Sequence, residues 1–299
     1  MVFRTDLALE MAESVLEKAQ EEGHPIGVTS KVEKQGEATV TYIEVLDDNG
    51  IELIGKPVGK YITIEVPPLS DAPSAPDENT ELLATELRKL LPEEGTILVF
   101  GLGNTEITPD ALGPLSAGMT LATRHIDEEL RRVTGLQHLR PTAVLAPGVL
   151  GQTGIESAEI VKGIVDLIRP AAVIVIDALV SKSLARLGCT VQISDTGISP
   201  GAGVGNNRPQ VNTDSLGVPV IAIGVPTIVD AATLATDLLS PNEEDYDEIK
   251  AYVAPRGAEM MVTPREIDLL VHRASRLVSM AINRALHPAY SAATIQELL

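Results

Sequence analysis

Ala171-Ala172-Val173-Ile174-Val175-Ile176-Asp177 is an unbroken apolar run closed by an acid. A run of this length, rich in β-branched residues, predicts a strand buried on both faces. Such strands build open α/β sheets, whose ligands bind beyond the carboxyl ends of the strands, and Asp177 stands at that end. A second run, Thr96-Ile97-Leu98-Val99-Phe100, leads through Gly101-Leu102-Gly103-Asn104 to Asp110. If the two strands lie close together, both acids face one cleft, where a carboxylate pair sharing a proton can run hydrolysis. Asp110 and Asp177 are therefore the candidate catalytic residues. Each also has an ordinary reading, Asp110 as an acid favoured before a helix and Asp177 as a polar cap on a buried strand. Asp195 and Asp230 follow strands too and are weaker candidates. Asp195 opens a Gly-rich loop, where an Asx-turn explains it.

Outward from these strands the chain alternates. Strands at 96–100, 142–146, 171–176, 190–194 and 218–224 are interleaved with helices at 77–91, 114–125, 156–168, 180–187, 228–239 and 264–287. That alternation predicts an α/β fold with a doubly wound, mainly parallel sheet. Ahead of it lie a helix over 7–21, strand-like pieces at 27–33, 38–46 and 60–66, and a turn at Asp47-Asp48-Asn49-Gly50. Residues 67–76, rich in proline, read as a linker. The expected division is a small β-rich N-terminal subdomain, 1–76, and an α/β catalytic domain, 77–299. The stretch 240–262 is acidic and irregular.

Bulk properties narrow the function. The chain has 299 residues, 44% of them hydrophobic but only 2% aromatic, so aliphatic side chains must fill the core. A net charge of −19 argues against a nucleic-acid binder, because phosphates attract Lys and Arg surfaces. Cys189 is the only cysteine; no intrachain disulfide can form, and the residue reads as a small buried apolar group. The N-terminus shows no signal-like apolar segment, and no apolar stretch is long enough to span a membrane. A soluble intracellular protein is expected. Gly101-x-Gly103-x-x-Glu106 and Gly201-x-Gly203-x-x-Asn206 both lack the third glycine of a dinucleotide loop, so nucleotide use is not expected. There is no Gly-x-Ser-x-Gly elbow. His125, His138 and His272 have no metal-ligand spacing, and His24 and His287 fall in turns. No cofactor or metal is called for.

Several runs taken together resemble the germination protease family, spore endopeptidases that degrade small acid-soluble spore proteins. They include Arg4-Thr5-Asp6-Leu7-Ala8, Gly101-Leu102-Gly103-Asn104, Thr108-Pro109-Asp110-Ala111-Leu112-Gly113-Pro114 and Thr123-Arg124-His125. Ala146-Pro147-Gly148-Val149, Thr153-Gly154-Ile155-Glu156, Ile176-Asp177-Ala178-Leu179 and Gln192-Ile193-Ser194-Asp195-Thr196-Gly197-Ile198 follow in order. Pro200 to Asn206, Gly217 to Thr227 and Met261-Val262-Thr263-Pro264 complete the set, which spans nearly the whole chain. The resemblance implies that Asp110 and Asp177 are the two essential aspartates of an aspartic-type endopeptidase, in a fold similar to that of the hydrogenase maturation endopeptidases. It implies a zymogen that cuts its own chain between Asp6 and Leu7, a homotetramer, and a place in the cytoplasm of the spore core. Asp6 has the alternative reading of a helix cap. Two departures stand out: the segment before the cut is short, and the stretch between Asp237 and Met260 is shorter than in longer family members.

Two other functions remain open from the sequence. A metal-guided maturation endopeptidase shares the strand-end Gly-x-Gly-Asn and the two acids, but it typically places a histidine after a later strand where Ser194-Asp195 stand here. A catalytically silent binding protein on the same fold is the third reading, and retention of both acids speaks against it.

Overall fold

The computed structural model describes residues 5–22, 27–69, 77–201, 208–239, 248, 251–253 and 260–299. Linker residues 70–76, His24, the glycine loop over 202–207 and most of 240–259 lie outside the described residues. In chain order come α1 (Ala8–Glu22), β1 (Val28–Gln35), β2 (Ala38–Val45), α2 (Asp48–Ile54), β3 (Gly59–Glu65), α3 (Asp77–Leu90) and β4 (Ile97–Gly101). Then follow α4 (Leu112–Gly118), α5 (Glu128–Thr134), β5 (Thr142–Leu145), α6 (Leu150–Thr153), α7 (Ser157–Ile168), β6 (Ala172–Ser181) and β7 (Thr190–Ser194). The chain ends with α8 (Thr213–Leu216), β8 (Val220–Asp230), α9 (Ala231–Leu239), β9 (Met261–Val262), α10 (Ile267–Leu286) and α11 (Ala292–Leu298).

The strands form one mixed sheet in the order β1-β2-β3-β7-β8-β6-β4-β5, with β9 on β8. β5, β4, β6 and β8 are parallel, while β7, β3, β2 and β1 continue the sheet antiparallel. The first three strands thus join the later ones through β3 and β7. The parallel strands are apolar on both sides because helices cover both faces. Ile174, Ile176, Ile221 and Ile223 point to the face under α3 and α10. Val173, Val175 and Phe100 point to the other face, under α7. Along that second face one row of paired residues runs Tyr61–Ser194–Ala222–Val175–Phe100–Leu145. Its Tyr61 end packs under α1 with Ile43 and Val45. Two helices, α1 and α7, therefore share this face, with Val211 and Leu216 packed on it beside α7.

Four local expectations change. The helix expected at 180–187 is absent: β6 runs ten residues to Ser181, followed by a single 3₁₀ turn at Leu184–Arg186. β8 likewise continues to Asp230, and α9 starts only at Ala231. Each strand supplies the other's partner beyond a register shift at Leu179/Val180, so tertiary pairing overrides the local pattern. The helix expected at 114–125 stops at Gly118, where Asn283 accepts from Leu121 N and donates to Met119 O. Asp47 does not begin a simple turn; its carboxylate accepts from Gly50 N and caps α2.

Candidate active site

Asp177 lies in the middle of β6, not at its end. It still meets open space because β4 stops at Gly101, opposite Ile176, and leaves the next stretch of β6 uncovered. Asp110 comes to the same place by a turn. After β4, Leu102 N donates to Ile176 O at 2.8 Å, and Gly103 takes a φ of +121°, a conformation closed to most L side chains. Asn104 N then donates to both Asp110 O (3.1 Å) and Asp110 Oδ2 (2.9 Å). Thr227 of β8 fixes the 3₁₀ turn Thr108–Asp110 by donating to Pro109 O at 2.8 Å. Asp110 is thus placed by backbone hydrogen bonds and the Thr227 hydroxyl, and the Asp177 carboxylate accepts from the Ala178 backbone N–H at 2.9 Å.

Both aspartates line one cleft of about 490 Å³, with Asp6, Arg208 and the apolar Leu102, Ile107, Leu179 and Ile198. Asp177 is 9% exposed. Burial, and then the negative charges of Asp110 and Asp6, hold its pKa well above the usual carboxylate range. Burial also raises Asp110, opposed by the Asn104 hydrogen bond and the Arg208 charge. The charge of Asp110 thus adds to burial in favouring the protonated form of Asp177. Arg208 stays near the mouth, 3.5 Å from Glu156 at the start of α7.

The third acid of the cleft is Asp6. On the part of β6 that β4 has left, Asp6 N donates to Val180 O (2.9 Å) and Val180 N donates to Asp6 Oδ2 (2.8 Å). Asp6 therefore adds itself to the strand edge and is not the cap of α1. Around the start of that helix, Leu7 N bonds Thr5 Oγ1 (3.0 Å) and Ala8 N bonds Gln192 Oε1 (2.8 Å). Glu10 anchors the helix: it is 3% exposed and accepts from Lys182 N (2.7 Å), Ser183 N (2.9 Å) and the Thr5 hydroxyl. The Asp6 carbonyl accepts from Lys56 Nζ at 3.0 Å and from Gln192 Nε2 at 3.1 Å. Asp6 is thus fixed at the cleft through its N–H, carboxylate and carbonyl, and the next residue, Leu7, is fully buried. Burial raises Asp6 and lowers Lys56.

The remaining acids fall elsewhere. Asp195 accepts from Lys60 N at 2.7 Å and does not line the cleft. Asp230 accepts from Ala232 N, Thr233 N and Thr233 Oγ1 at the head of α9. Among the described residues, no three His, Cys, Asp or Glu side chains gather as a metal site. Cys189 is only partly buried. Lys56, Glu10 and Arg208 fall in none of the runs quoted above, and Gln192 only opens one of them. Gln192 alone left a trace, as a polar residue between Val191 and Ile193 in a buried strand, where an amide needs partners.

The germination protease family model matches residues 5–241. A germination protease of Clostridium tetani is 42% identical over 100% of this chain and 100% of its own length. One from Clostridium perfringens is 41% identical over 95% of each. Among solved structures, the NiFe hydrogenase maturation protease HycI of Thermococcus kodakarensis aligns with a TM-score of 0.38 at 18% identity, covering 67% of this chain and 98% of that one. Full-length likeness at this identity, over a sequence that folds Asp6, Asp110 and Asp177 into one cleft, places the chain in the germination protease family.

Proposed function

We propose that this chain is an aspartic-type endopeptidase that begins the degradation of small acid-soluble spore proteins, and that it is made as a zymogen cutting itself between Asp6 and Leu7. The observation that carries this reading is the cleft itself: Asp6, bonded through its backbone and side chain to Val180 of β6, lines the same cleft as two aspartates of raised pKa. The more deeply buried Asp177 holds the shared proton, and Asp110, with a backbone N–H and Arg208 favouring its charge, acts as the base. Water gives a proton to Asp110 and attacks the carbonyl carbon. Asp177 gives its proton to the leaving amine, and the pair ends with one proton, as it began.

The substrate enters as a further copy of the Asp6 segment: a flexible chain with an acid followed by an apolar residue, laid on the uncovered edge of β6. Assembly as a homotetramer and residence in the cytoplasm of the spore core belong to the same proposal. No helix among the described residues is long and apolar enough to cross a membrane. The test is cleavage of a small acid-soluble spore protein by the wild type and by Asp110→Asn and Asp177→Asn, each lacking residues 1–6. Activity in the wild type that both variants lose is the expected result. Activity that survives in either variant refutes the pair.

A further inference from the structure

A second row of paired residues crosses the same face one step from the first: Thr63 of β3, Gln192 of β7, Gly224 of β8 and Asp177 of β6. Paired residues on adjacent strands point to the same side, so Gln192 and Asp177 face the same way, two strand spacings or about 9–10 Å apart. Between them Gly224 presents no side chain; a Cβ there would stand 2.7 Å from Leu179 Cγ. Asp6 lies at this gap. It lines the cleft of Asp110 and Asp177 on one side, and on the other a second cavity of about 450 Å³ that contains Lys56 and Gln192. One wall of the Asp6 peptide is carboxylate and the other is hydrogen-bond donor.

Both donors converge on a single atom, the Asp6 carbonyl oxygen, at 3.0 Å from Lys56 Nζ and 3.1 Å from Gln192 Nε2. Lys56 reaches Thr5 O as well, at 3.4 Å, but makes no ion pair among the described residues; Asp6 and Glu10 act on it only through space. A partly desolvated ammonium spent on a neutral carbonyl is costly, and it becomes favourable when that oxygen turns negative. Gln192 is fixed for the task because its Oε1 is occupied by Ala8 N at 2.8 Å, which turns its amide N–H groups toward Asp6.

On the protease reading of the cleft, we propose that Lys56 and Gln192 form the oxyanion-binding site, recognising the carbonyl of an acidic residue whose side chain sits on Val180 N. When water adds to the Asp6 carbonyl carbon, the C=O electron pair moves to the oxygen, where the Lys56 ammonium and the Gln192 amide stabilise it. Collapse restores the carbonyl, breaks the C–N bond and leaves the Asp177 proton on the Leu7 nitrogen. The carboxyl pair is then not needed to polarise the carbonyl and handles protons alone.

The experiment follows cleavage at Asp6–Leu7 by intact mass in the full chain, for the wild type, Lys56→Met, Lys56→Arg and Gln192→Glu, with Asp177→Asn as the inactive reference and a melting curve for each. Loss of one such donor lowers a rate by about 10²–10³-fold, which is the fall expected for Lys56→Met, with much of it restored in Lys56→Arg. Gln192→Glu keeps the acceptor for Ala8 N but replaces the donor with a second negative charge; it should fall at least as far while melting near the wild type. If Gln192 contributes nothing at the Asp6 carbonyl, Gln192→Glu will cleave within a few-fold of the wild type, and that result overturns the proposal even should Lys56→Met fail to fold. A wild-type chain that never cleaves at Asp6–Leu7 instead overturns the protease reading of the cleft.

Discussion

Gly103→Ala isolates the role of the turn that delivers Asp110. At the Gly103 φ of +121°, a Cβ would stand 1.9 Å from Asp110 O and 3.3 Å from Asp110 Oδ1. Real Cβ atoms stay at least 3.0 Å from such neighbours, so the Asp110 backbone must retreat by about 1.1 Å or the turn must change its dihedrals. The first moves the carboxylate proposed as the base by a distance that typically lowers a rate on the order of 100-fold; the second costs roughly 1–3 kcal/mol of stability. The expected outcome is a folded protein, melting somewhat lower, that cleaves Asp6–Leu7 about two orders of magnitude more slowly. Intact mass against time gives the rate, and a thermal melt gives the stability. Gly118→Ala is the matched control, because nothing lies within 4 Å of its Cβ and it ends α4; it should leave both quantities unchanged or stabilise slightly. A Gly103→Ala protein that cleaves as fast as the Gly118→Ala control would refute the idea that this turn positions Asp110.

Other outcomes follow from burial. Asp177 has a raised folded pKa, so its stabilisation is complete below the ordinary carboxylate value and is lost as pH rises through the folded one; Asp177→Asn should therefore abolish cleavage yet raise the melting temperature at neutral pH, a gain that shrinks toward pH 4 in a pH series of melts. His287 is fully buried, accepts from Arg140 N at 3.2 Å and has its pKa pulled down to about 4 by burial. The sign is opposite: the stability it permits is whole above pH 6.5 and lost as pH falls toward 4, on the order of 3 kcal/mol, so His287→Gln should flatten the acid limb of the melting curve, and an unchanged limb would refute it. Phe100 is 0% exposed in the β4 core; Phe100→Ala should cost about 3–5 kcal/mol in denaturant unfolding. Sedimentation of the intact chain tests the tetramer.

The fold, and the meeting of Asp110 and Asp177 in one cleft, were legible in the sequence because the signals are local. Ala172 to Ile176 are uniformly apolar because that strand is covered by helices on both faces, and Gly101-Leu102-Gly103-Asn104 carries the glycine that the turn to Asp110 requires. The lengths of β6 and β8 were not legible. Ala178 to Ser181 and Pro226 to Val229 have no partner within their own segments, and they become strands only because each finds the other. The same holds, more strongly, for the groups around the Asp6 carbonyl. Lys56 follows the glycine that ends α2, Gln192 sits mid-strand in β7, and Val180 lies past a register shift in β6. No spacing connects them. Gln192 meets Asp177 only through the sheet register that sets both opposite Gly224, and Asp6 reaches them only because β4 ends early enough to free the edge of β6. A carboxylate that must be held by its own turn leaves a motif, whereas a donor that must meet a distant carbonyl is specified by strand order, so the aspartates of the cleft can be read along the chain and the donors to the Asp6 carbonyl can be read only across it.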